Sequence, residues 1–170
     1  MILRYKAIIP GNKIFMREYD LDSRMNLFKL HEFLCRDLGF SPDQMTVFDT
    51  FSAAGKPSRR IGLFDFGDGS MDMITLENTL AKEETLLRYT YNLNLHLAIE
   101  LNLEGEQEFN RRFSYPMLVA EKGRNPDQFS AVYEDYEEFS DKRPTRMDTS
   151  SESEEDSFEE DELPEGEESI

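Results

Sequence analysis

The odd-numbered positions from 87 to 103 are all apolar, and the even positions between them are polar apart from Ala98. Successive side chains of a β-strand point to opposite faces, so this period of two predicts β structure with one buried face. A single strand over all 17 residues would be about 55 Å long at ~3.3 Å per residue, which exceeds the size of a small domain. The pattern therefore predicts a β-hairpin.

The hairpin is expected to turn near residues 92–94. A three-residue loop pairs residue i with residue i+4 and keeps the parity of the pattern, whereas a two-residue loop would invert it. Asn94 tolerates the left-handed conformation that such a loop needs. We therefore predict that Tyr91 lies opposite Leu95.

Apolar residues recur at helical spacing over residues 24–38, which predicts the principal α-helix. The apolar stripe consists of Leu27, Phe28, Leu30, Phe33, Leu34 and Leu38. Ser23 is the predicted N-cap, and Gly39 is predicted to end the helix. His31 lies on or beside the buried face of this helix, and we interpret it as a core or boundary histidine.

Weaker alternation and turn residues predict the other elements. A loop is expected over residues 53–60, and one or two helical turns are expected over residues 75–80. The remaining predicted strands cover residues 3–9, 14–21, 45–51, 61–66 and 116–120. Strands grouped around one strong helix predict an α+β fold, in which a mainly antiparallel sheet packs against one principal helix.

Charge divides the chain into two parts. Residues 134–170 contain 17 acidic and three basic residues, a net charge of −14, whereas residues 1–133 contain 19 acidic and 16 basic residues, a net charge of −3. A run of like charges with few apolar residues repels itself and buries too little surface to fold. The sequence predicts a single domain over residues 1–140 and an acidic, disordered tail over residues 141–170.

The composition excludes several classes of protein. The single cysteine, Cys35, cannot form an internal disulfide, and no spacing of Cys and His suggests a zinc site. The sequence shows neither a signal peptide nor an apolar run of membrane-spanning length, so a soluble, cytoplasmic protein without membrane contact is expected. We predict no metal and no cofactor.

Catalytic motifs are weak throughout the chain. Asp65-Phe66-Gly67 matches the metal-binding tripeptide of protein kinases, but the glycine-rich phosphate loop and the catalytic His-Arg-Asp are missing. The possible oxygen ligands of this segment are Asp65, Asp68, Ser70 and Asp72. They lack EF-hand spacing, so a solvated turn is favoured over a calcium site. His31 and His96 are the only histidines, and no nucleophile motif accompanies them, so no catalytic residue is predicted.

The one tight basic cluster of the predicted domain consists of Lys56, Arg59 and Arg60, within the predicted loop 53–60. The ordinary interpretation is a solvated loop. The alternative is a patch that contacts an anion or the phosphates of nucleic acid, with Arg111-Arg112 adding charge elsewhere. An acidic chain repels nucleic acid, so binding by the full-length protein is not expected.

Several short motifs together resemble one bacterial family of unknown function. They are Phe15-Met16-Arg17-Glu18-Tyr19, Leu27-Phe28-Lys29-Leu30-His31, Asp43-Gln44-Met45-Thr46-Val47-Phe48, Ile74-Thr75-Leu76, and Leu86-Leu87 followed by Ile99-Glu100-Leu101. In this order they resemble the Ri-plasmid open-reading-frame-three-like family, also described as an insertion-element passenger (TnpR) family. The resemblance covers most of residues 3–104, although many members carry Tyr-Asp-Phe-Gly-Asp where this chain has Tyr91-Asn92-Leu93-Asn94. It implies a compact α+β domain associated with mobile elements, and it implies no reaction.

These observations favour a non-enzymatic interaction or regulatory module whose acidic tail makes electrostatic contacts. The expected partner is a protein, and a basic one would match the tail. One alternative is a nucleic-acid-associated protein of a mobile element with an autoinhibitory tail, and another is a small enzyme or ligand binder with a cleft near His31 or His96. The exposed face of the sheet discriminates among them: a deep polar pocket around a histidine would favour the enzyme, a flat apolar patch the interaction module, and a continuous basic stripe nucleic-acid binding.

Overall fold

The computed structural model of the chain describes residues 1–133. The predicted boundary between residues 140 and 141 and the predicted acidic tail lie outside the described residues, so both stay predictions. Within the described range, no helix combines the length and the apolar character that crossing a membrane requires.

One antiparallel sheet dominates the described part of the chain. Its strands are β1 (Ile2–Ile8), β2 (Met16–Asp22), β3 (Val47–Ser52), β4 (Pro57–Gly62), β5 (Glu84–Asn92), β6 (Leu97–Gln107) and β7 (Met117–Lys122), and the helices are α1 (Leu27–Leu38) and α2 (Leu76–Ala81). The strand order is β4-β3-β5-β6-β1-β2-β7, and every neighbouring pair is antiparallel. The predicted strands 3–9, 14–21, 45–51 and 116–120 match β1, β2, β3 and β7 to within two residues.

The core lies between the helices and one face of this sheet, which we call the inner face. Successive side chains of a strand point to opposite faces of the sheet. Every second residue of the central strands therefore points to the inner face, and these residues are buried there. The inner face carries Tyr5, Tyr19, Phe48, Tyr89, Ile99 and Leu101, and the helices add Leu27, Leu30, Leu34 and Leu76 to the same cluster. The predicted antiparallel sheet is confirmed. The description by one principal helix is only loosely supported, since the sheet dominates and α2 also contributes to the core.

Helix α1 begins three residues later than its pattern suggested. Asn26, not Ser23, is the N-cap, and its side-chain oxygen accepts a hydrogen bond from the Lys29 N–H at 2.8 Å. Ser23 instead lies in the turn after β2, where its backbone pairs with Met1 and Glu77 and holds it outside the helix. The predicted end is confirmed, because Gly39 adopts a left-handed conformation with φ of 77°.

The β5–β6 hairpin is confirmed, but its register differs from the prediction. Tyr89 pairs with Ile99, and residues 93–96 form a four-residue loop, so Tyr91 does not lie opposite Leu95. The loop closes between Asn92 and Leu97, which alone would invert the parity, and a bulge between Thr90 and Asn92 restores it. The left-handed residue is His96, with φ of 57°, rather than Asn94.

Strand β4 was expected to be largely a loop. The chain turns earlier than predicted, over residues 53–56, where the Gly55 N–H donates to the Ser52 carbonyl and the Ser52 N–H donates to the Lys56 carbonyl. Residues 57–62 then pair with β3 as an edge strand, and residues 63–66 lie beyond it in an irregular segment. Arg59 and Arg60 therefore lie within a strand.

Candidate functional site

The three predicted anion-contact residues do not form one patch. Lys56 is exposed before β4, while Arg59 and Arg60 are neighbours within the strand and point to opposite faces of the sheet. Arg59 donates to the two carboxylate oxygens of Glu84 at 2.6 and 2.9 Å. Arg60 lies on the outer face and donates to both oxygens of Asp49 at 2.8 and 3.0 Å.

The ion pairs with Glu84 and Asp49 neutralise the positive charges of Arg59 and Arg60. A phosphate would have to share each guanidinium with a carboxylate that already holds it. Arg111 and Arg112 are exposed in the loop between β6 and β7. Nucleic-acid contact by these residues stays a prediction.

Glu84 is the centre of a buried polar cluster on the inner face. Its side chain is 1% exposed and accepts hydrogen bonds from the hydroxyls of Thr50 at 2.9 Å and Ser58 at 2.6 Å, besides those of Arg59. Burial alone would raise the pKa of Glu84, but the hydrogen bonds from Arg59, Ser58 and Thr50, with the charge of Arg59, outweigh it and lower that pKa below its ordinary value. The cluster joins β3, β4 and β5 and has a structural role.

His31 was predicted to be a core or boundary histidine, and the structure places it in the core. Its side chain is 1% exposed, and Nδ1 lies 2.7 Å from the Tyr89 hydroxyl, 3.4 Å from that of Thr46 and 3.8 Å from the Cys35 sulfur. Burial lowers the pKa of His31 and raises the pKa values of Tyr89 and Cys35, so all three groups stay uncharged near neutral pH. A ligand has no access to this cluster, and His31 does not border the cleft described next.

The outer face of the sheet carries a cleft of about 750 Å³ beside His96. We call it the outer cleft. Its floor is a row of charged side chains on β3–β6, and its wall is residues 126–133, which follow β7. His96 lies at the hairpin loop and is exposed. A cleft near His96 is the geometry that the ligand-binding alternative requires.

The floor of the outer cleft is one cross-strand row of alternating charge. Asp49 pairs in register with Arg60 on one side and Arg88 on the other, and Arg88 pairs with Glu100. Arg88 donates from Nε and Nη2 to Glu100 Oε2 at 3.1 and 2.9 Å, and its guanidinium lies 4.6 Å from the centroid of the Phe51 ring. The carboxylates are mostly covered, whereas the side chains of Arg60 and Arg88 remain 58% and 41% exposed.

Gln128 joins the wall of the cleft to the segment that follows α1 and to β5. Gln128 is 6% exposed, and its amide oxygen accepts from the Ser41 N–H at 2.7 Å. Its backbone carbonyl accepts from the Asn92 side chain at 2.9 Å. At the end of the wall, the Tyr133 hydroxyl donates to the Arg124 carbonyl at 2.7 Å, and its ring meets Phe15 edge-on. The wall is thus an ordered part of the domain.

A second exposed feature is the aromatic loop, residues 63–73. Phe64, Phe66 and Met73 are 66%, 58% and 69% exposed. The loop is closed at its base by a hydrogen bond of 2.9 Å from the Met71 N–H to the Gly62 carbonyl. The ring of Phe66 lies directly over Gly62, where even a Cβ atom would come within 2.2 Å of it. The aromatic loop therefore has an ordered backbone and exposes large apolar side chains to solvent.

Three aspartates lie between these apolar residues in the sequence of the loop. Asp65 accepts hydrogen bonds from the N–H groups of Gly67 and Gly69, which lower the pKa of its carboxyl. Asp68 accepts from the Arg60 N–H at 3.0 Å, and Asp72 accepts from the hydroxyl of Ser70. Within residues 1–133, no three His, Cys, Asp or Glu side chains are grouped as metal ligands would be. The aspartates thus shape the loop and leave it negatively charged.

Arg88 and Glu100 were missed as site residues. Both occupy even positions of the alternating stretch and carry opposite charges, so a correct hairpin register would have paired them. No sequence pattern indicated the wall of the cleft. Residues 126–133 have no periodicity, and Gln128 contacts residues far away in sequence.

No protein-family model and no curated protein matches the chain. Among solved structures, the chain is similar to the "Crystal Structure of Protein of Unknown Function MM3350 from Methanosarcina mazei Go1". The two chains are 17% identical with a TM-score of 0.66, and the match covers 82% of this chain and 79% of the other. At this identity the similarity shows the fold alone, and the resemblance to the Ri-plasmid family stays a prediction. The chain shares the fold of the Methanosarcina mazei protein.

Proposed function

We propose that this chain is a cytoplasmic, non-enzymatic interaction module that binds a basic protein segment through the aromatic loop. The carrying observation is the exposure of Phe64, Phe66 and Met73 on one short loop. Exposed apolar surface is stabilised when a partner removes it from water, at roughly 25 cal/mol per Å². Large apolar side chains clustered on a soluble domain are typical of interaction sites.

The acidic border of the loop selects the charge of the partner. Asp65, Asp68 and Asp72 lie between the apolar residues in sequence, and the lowered pKa of Asp65 keeps that carboxylate charged at neutral pH. An amphipathic helix with Lys or Arg beside its apolar face would match both properties. Met73 adds a flexible side chain that adapts to different apolar surfaces.

The loop is preorganised for binding, which lowers the entropic cost of association. The base hydrogen bond between Met71 and Gly62, the stacking of Phe66 on Gly62 and the two hydrogen bonds to Asp65 hold its backbone before any partner arrives. Most of the binding free energy then comes from the exposed side chains themselves.

The first test measures binding of a labelled synthetic helix of Leu and Lys to the full-length protein by fluorescence polarisation. A matched Leu and Glu helix should bind at least tenfold more weakly. We expect the triple variant Phe64→Ser, Phe66→Ser, Met73→Ser to lose at least tenfold in affinity for the Lys helix. It removes apolar contact and leaves the aspartates in place.

The matched control is Phe109→Ser, Phe113→Ser, which removes two Phe side chains of 61% and 49% exposure from another loop. This control should bind the Lys helix as the wild type does. Equal losses in both variants, with melting temperatures unchanged, would show that the aromatic loop is not the docking site.

A second test addresses the acidic tail. Residues 141–170 contain 13 acidic and three basic residues, and this net charge of −10 should attract a basic partner over about 8 Å at physiological salt and raise the association rate. Truncation after Ser140 should therefore slow association and flatten its dependence on salt, while the melting temperature stays within a few degrees. Stopped-flow association rates between 0.05 and 0.5 M salt, roughly a threefold range of Debye length, measure this. Identical rates for both proteins would reduce the tail to a solubilising role.

A further inference from the structure

The arginines of the outer cleft have donors that no described residue uses. Arg60 and Arg88 each commit Nε and Nη2 to a carboxylate, and no hydrogen bond within residues 1–133 reaches Nη1 of either. The side chains are 58% and 41% exposed at the cleft. Each therefore presents two N–H groups in an orientation that its ion pair already holds.

The cleft also contains carboxylate oxygens that accept no hydrogen bond from the described residues. Glu100 receives Arg88 on Oε2 only, and Asp127 receives the Phe129 N–H on Oδ1 only, so one oxygen of each has no partner within the described residues. The charge of Asp127 also raises the pKa of the neighbouring Tyr91 hydroxyl, after the larger effect of burial, to about 12. Donor and acceptor groups of opposite charge thus border the same space.

The balance of these charges excludes ligands of a single sign. An anion would meet Asp49, Glu100 and Asp127, and a cation would meet the two arginines. A molecule that carries one group of each sign can use both sets and avoids most of this repulsion.

Besides the charged residues and the polar residues Thr90, His96 and Ser130, the cleft has an apolar lining. Ile9, Tyr91, Leu97, Pro126 and Val132 line the cleft beside the charged row. Its volume of about 750 Å³ lies within the range of small-molecule sites, ~300–1,000 Å³. A ligand that fills it needs an apolar body as well as two charged groups.

We propose that the outer cleft binds a small zwitterion with an apolar body, of the chemistry of a short peptide with free ends. The ligand carboxylate accepts from Nη1 of Arg88 or Arg60, and the ammonium donates to the free oxygens of Glu100 and Asp127. Arg60 and Glu100 are three strand spacings apart, ~14 Å at ~4.8 Å each. An extended chain covers ~3.3–3.6 Å per residue, so peptides of up to about four residues match this span.

None of the residues 63–73 lines this site, and the hydrogen bond from the Arg60 N–H to Asp68 links the two. A peptide held here would also lie against residues 126–133, whose position depends on Gln128. Binding is therefore expected to increase the protection of the Gln128 segment in hydrogen exchange.

The experiment titrates full-length protein with the tripeptide Ala-Leu-Ala, its N-acetylated form, its C-amidated form and free leucine, using calorimetry. The free tripeptide should bind, and blocking either end should weaken binding at least tenfold. Leucine distinguishes an amino-acid site from a peptide site. No binding of either zwitterion at millimolar concentration, or equal binding of the free and blocked tripeptides, would overturn the proposal.

Variants assign the two ends of the ligand. In the double variant Arg60→Gln, Arg88→Gln, amidation of the tripeptide should cost less than threefold, because neither arginine is left to bind the carboxylate. In Glu100→Gln, acetylation should matter correspondingly less. The control is Arg4→Gln, which breaks a bidentate pair with Asp20 on the same sheet face outside the cleft and should retain the wild-type preference.

The outcome is separable from that of the aromatic loop. The triple variant Phe64→Ser, Phe66→Ser, Met73→Ser should bind the tripeptide with wild-type affinity. If Arg4→Gln abolished the end preference as the double arginine variant does, the effect would come from the overall electrostatic field of the sheet, and the cleft assignment would be wrong.

Discussion

Replacing Glu84 by glutamine should destabilise the protein by about 3–5 kcal/mol, the usual cost of removing one partner of a buried ion pair. The substitution keeps the size of the side chain but leaves the Arg59 guanidinium, which is 12% exposed, without its counter-charge. It also weakens the acceptor for Thr50 and Ser58. Urea unfolding followed by circular dichroism at pH 7 measures the loss.

The contribution of Glu84 should depend on pH in one direction. Its pKa is lowered in the folded state from an ordinary value of 4.5, so the folded protein binds fewer protons there than the unfolded chain. The stabilisation is fully present above the ordinary pKa and is lost as the pH falls through the lower, folded value. The stability difference between wild type and Glu84→Gln should therefore be constant from pH 6 to 8 and shrink below about pH 4.5.

A surface pair supplies the matched control. Asp22 bonds Arg24 at 2.8 Å, but the Arg24 side chain is 75% exposed, so Asp22→Asn should cost at most about 1 kcal/mol. If both substitutions cost the same, or if the Glu84→Gln difference did not change in acid, Glu84 would not act as a buried, charged partner of Arg59.

The same cluster explains why β4 was difficult to predict. Its sequence Pro57-Ser58-Arg59-Arg60 has no apolar alternation, since only Ile61 and Gly62 are buried. The strand is held at the sheet edge by polar contacts to Glu84 and Asp49, which come from β5 and β3. Local patterns report burial against a common core, and they do not report an ion pair between segments distant in sequence.

The hairpin shows the opposite case. The alternation over residues 87–103 predicted β structure correctly, because Tyr89, Ile99 and Leu101 are buried on one face. The loop was misplaced because Leu93 and Leu95 continue the alternation without being in a strand, and Leu95 is 45% exposed. A bulge can correct parity after a loop of either length, so the pattern alone leaves the loop length open.

The candidate sites follow the same division. The helix pattern placed His31 on or beside the buried face, and the structure shows that it is buried. The outer cleft required the register that aligns Arg60, Asp49, Arg88 and Glu100, and a wall held by contacts of Gln128 with Ser41 and Asn92. Neither the strand register nor the contacts of Gln128 produce a periodic pattern in the sequence.

The second large loss of stability is expected for substitutions in the apolar stripe of α1. Leu34 is fully buried in the core between α1 and the inner face. Leu34→Ala should cost about 2–5 kcal/mol, because the lost burial adds to the cavity that the surrounding side chains cannot fill. Leu34→Asp should cost more, since an unpaired carboxylate would be buried there. Equilibrium urea unfolding measures the first variant, and the yield of soluble, folded protein measures the second.

Phe28 provides the control on the same helix, because its side chain is 36% exposed and contacts the His31 ring only at a centroid distance of 5.8 Å. Phe28→Ala should cost less than half of the Leu34→Ala value, although phenylalanine loses more atoms. Burial rather than side-chain size therefore determines the order of the two effects. A soluble Leu34→Asp variant with wild-type stability, or a Phe28→Ala variant less stable than Leu34→Ala, would contradict this orientation of α1 against the sheet.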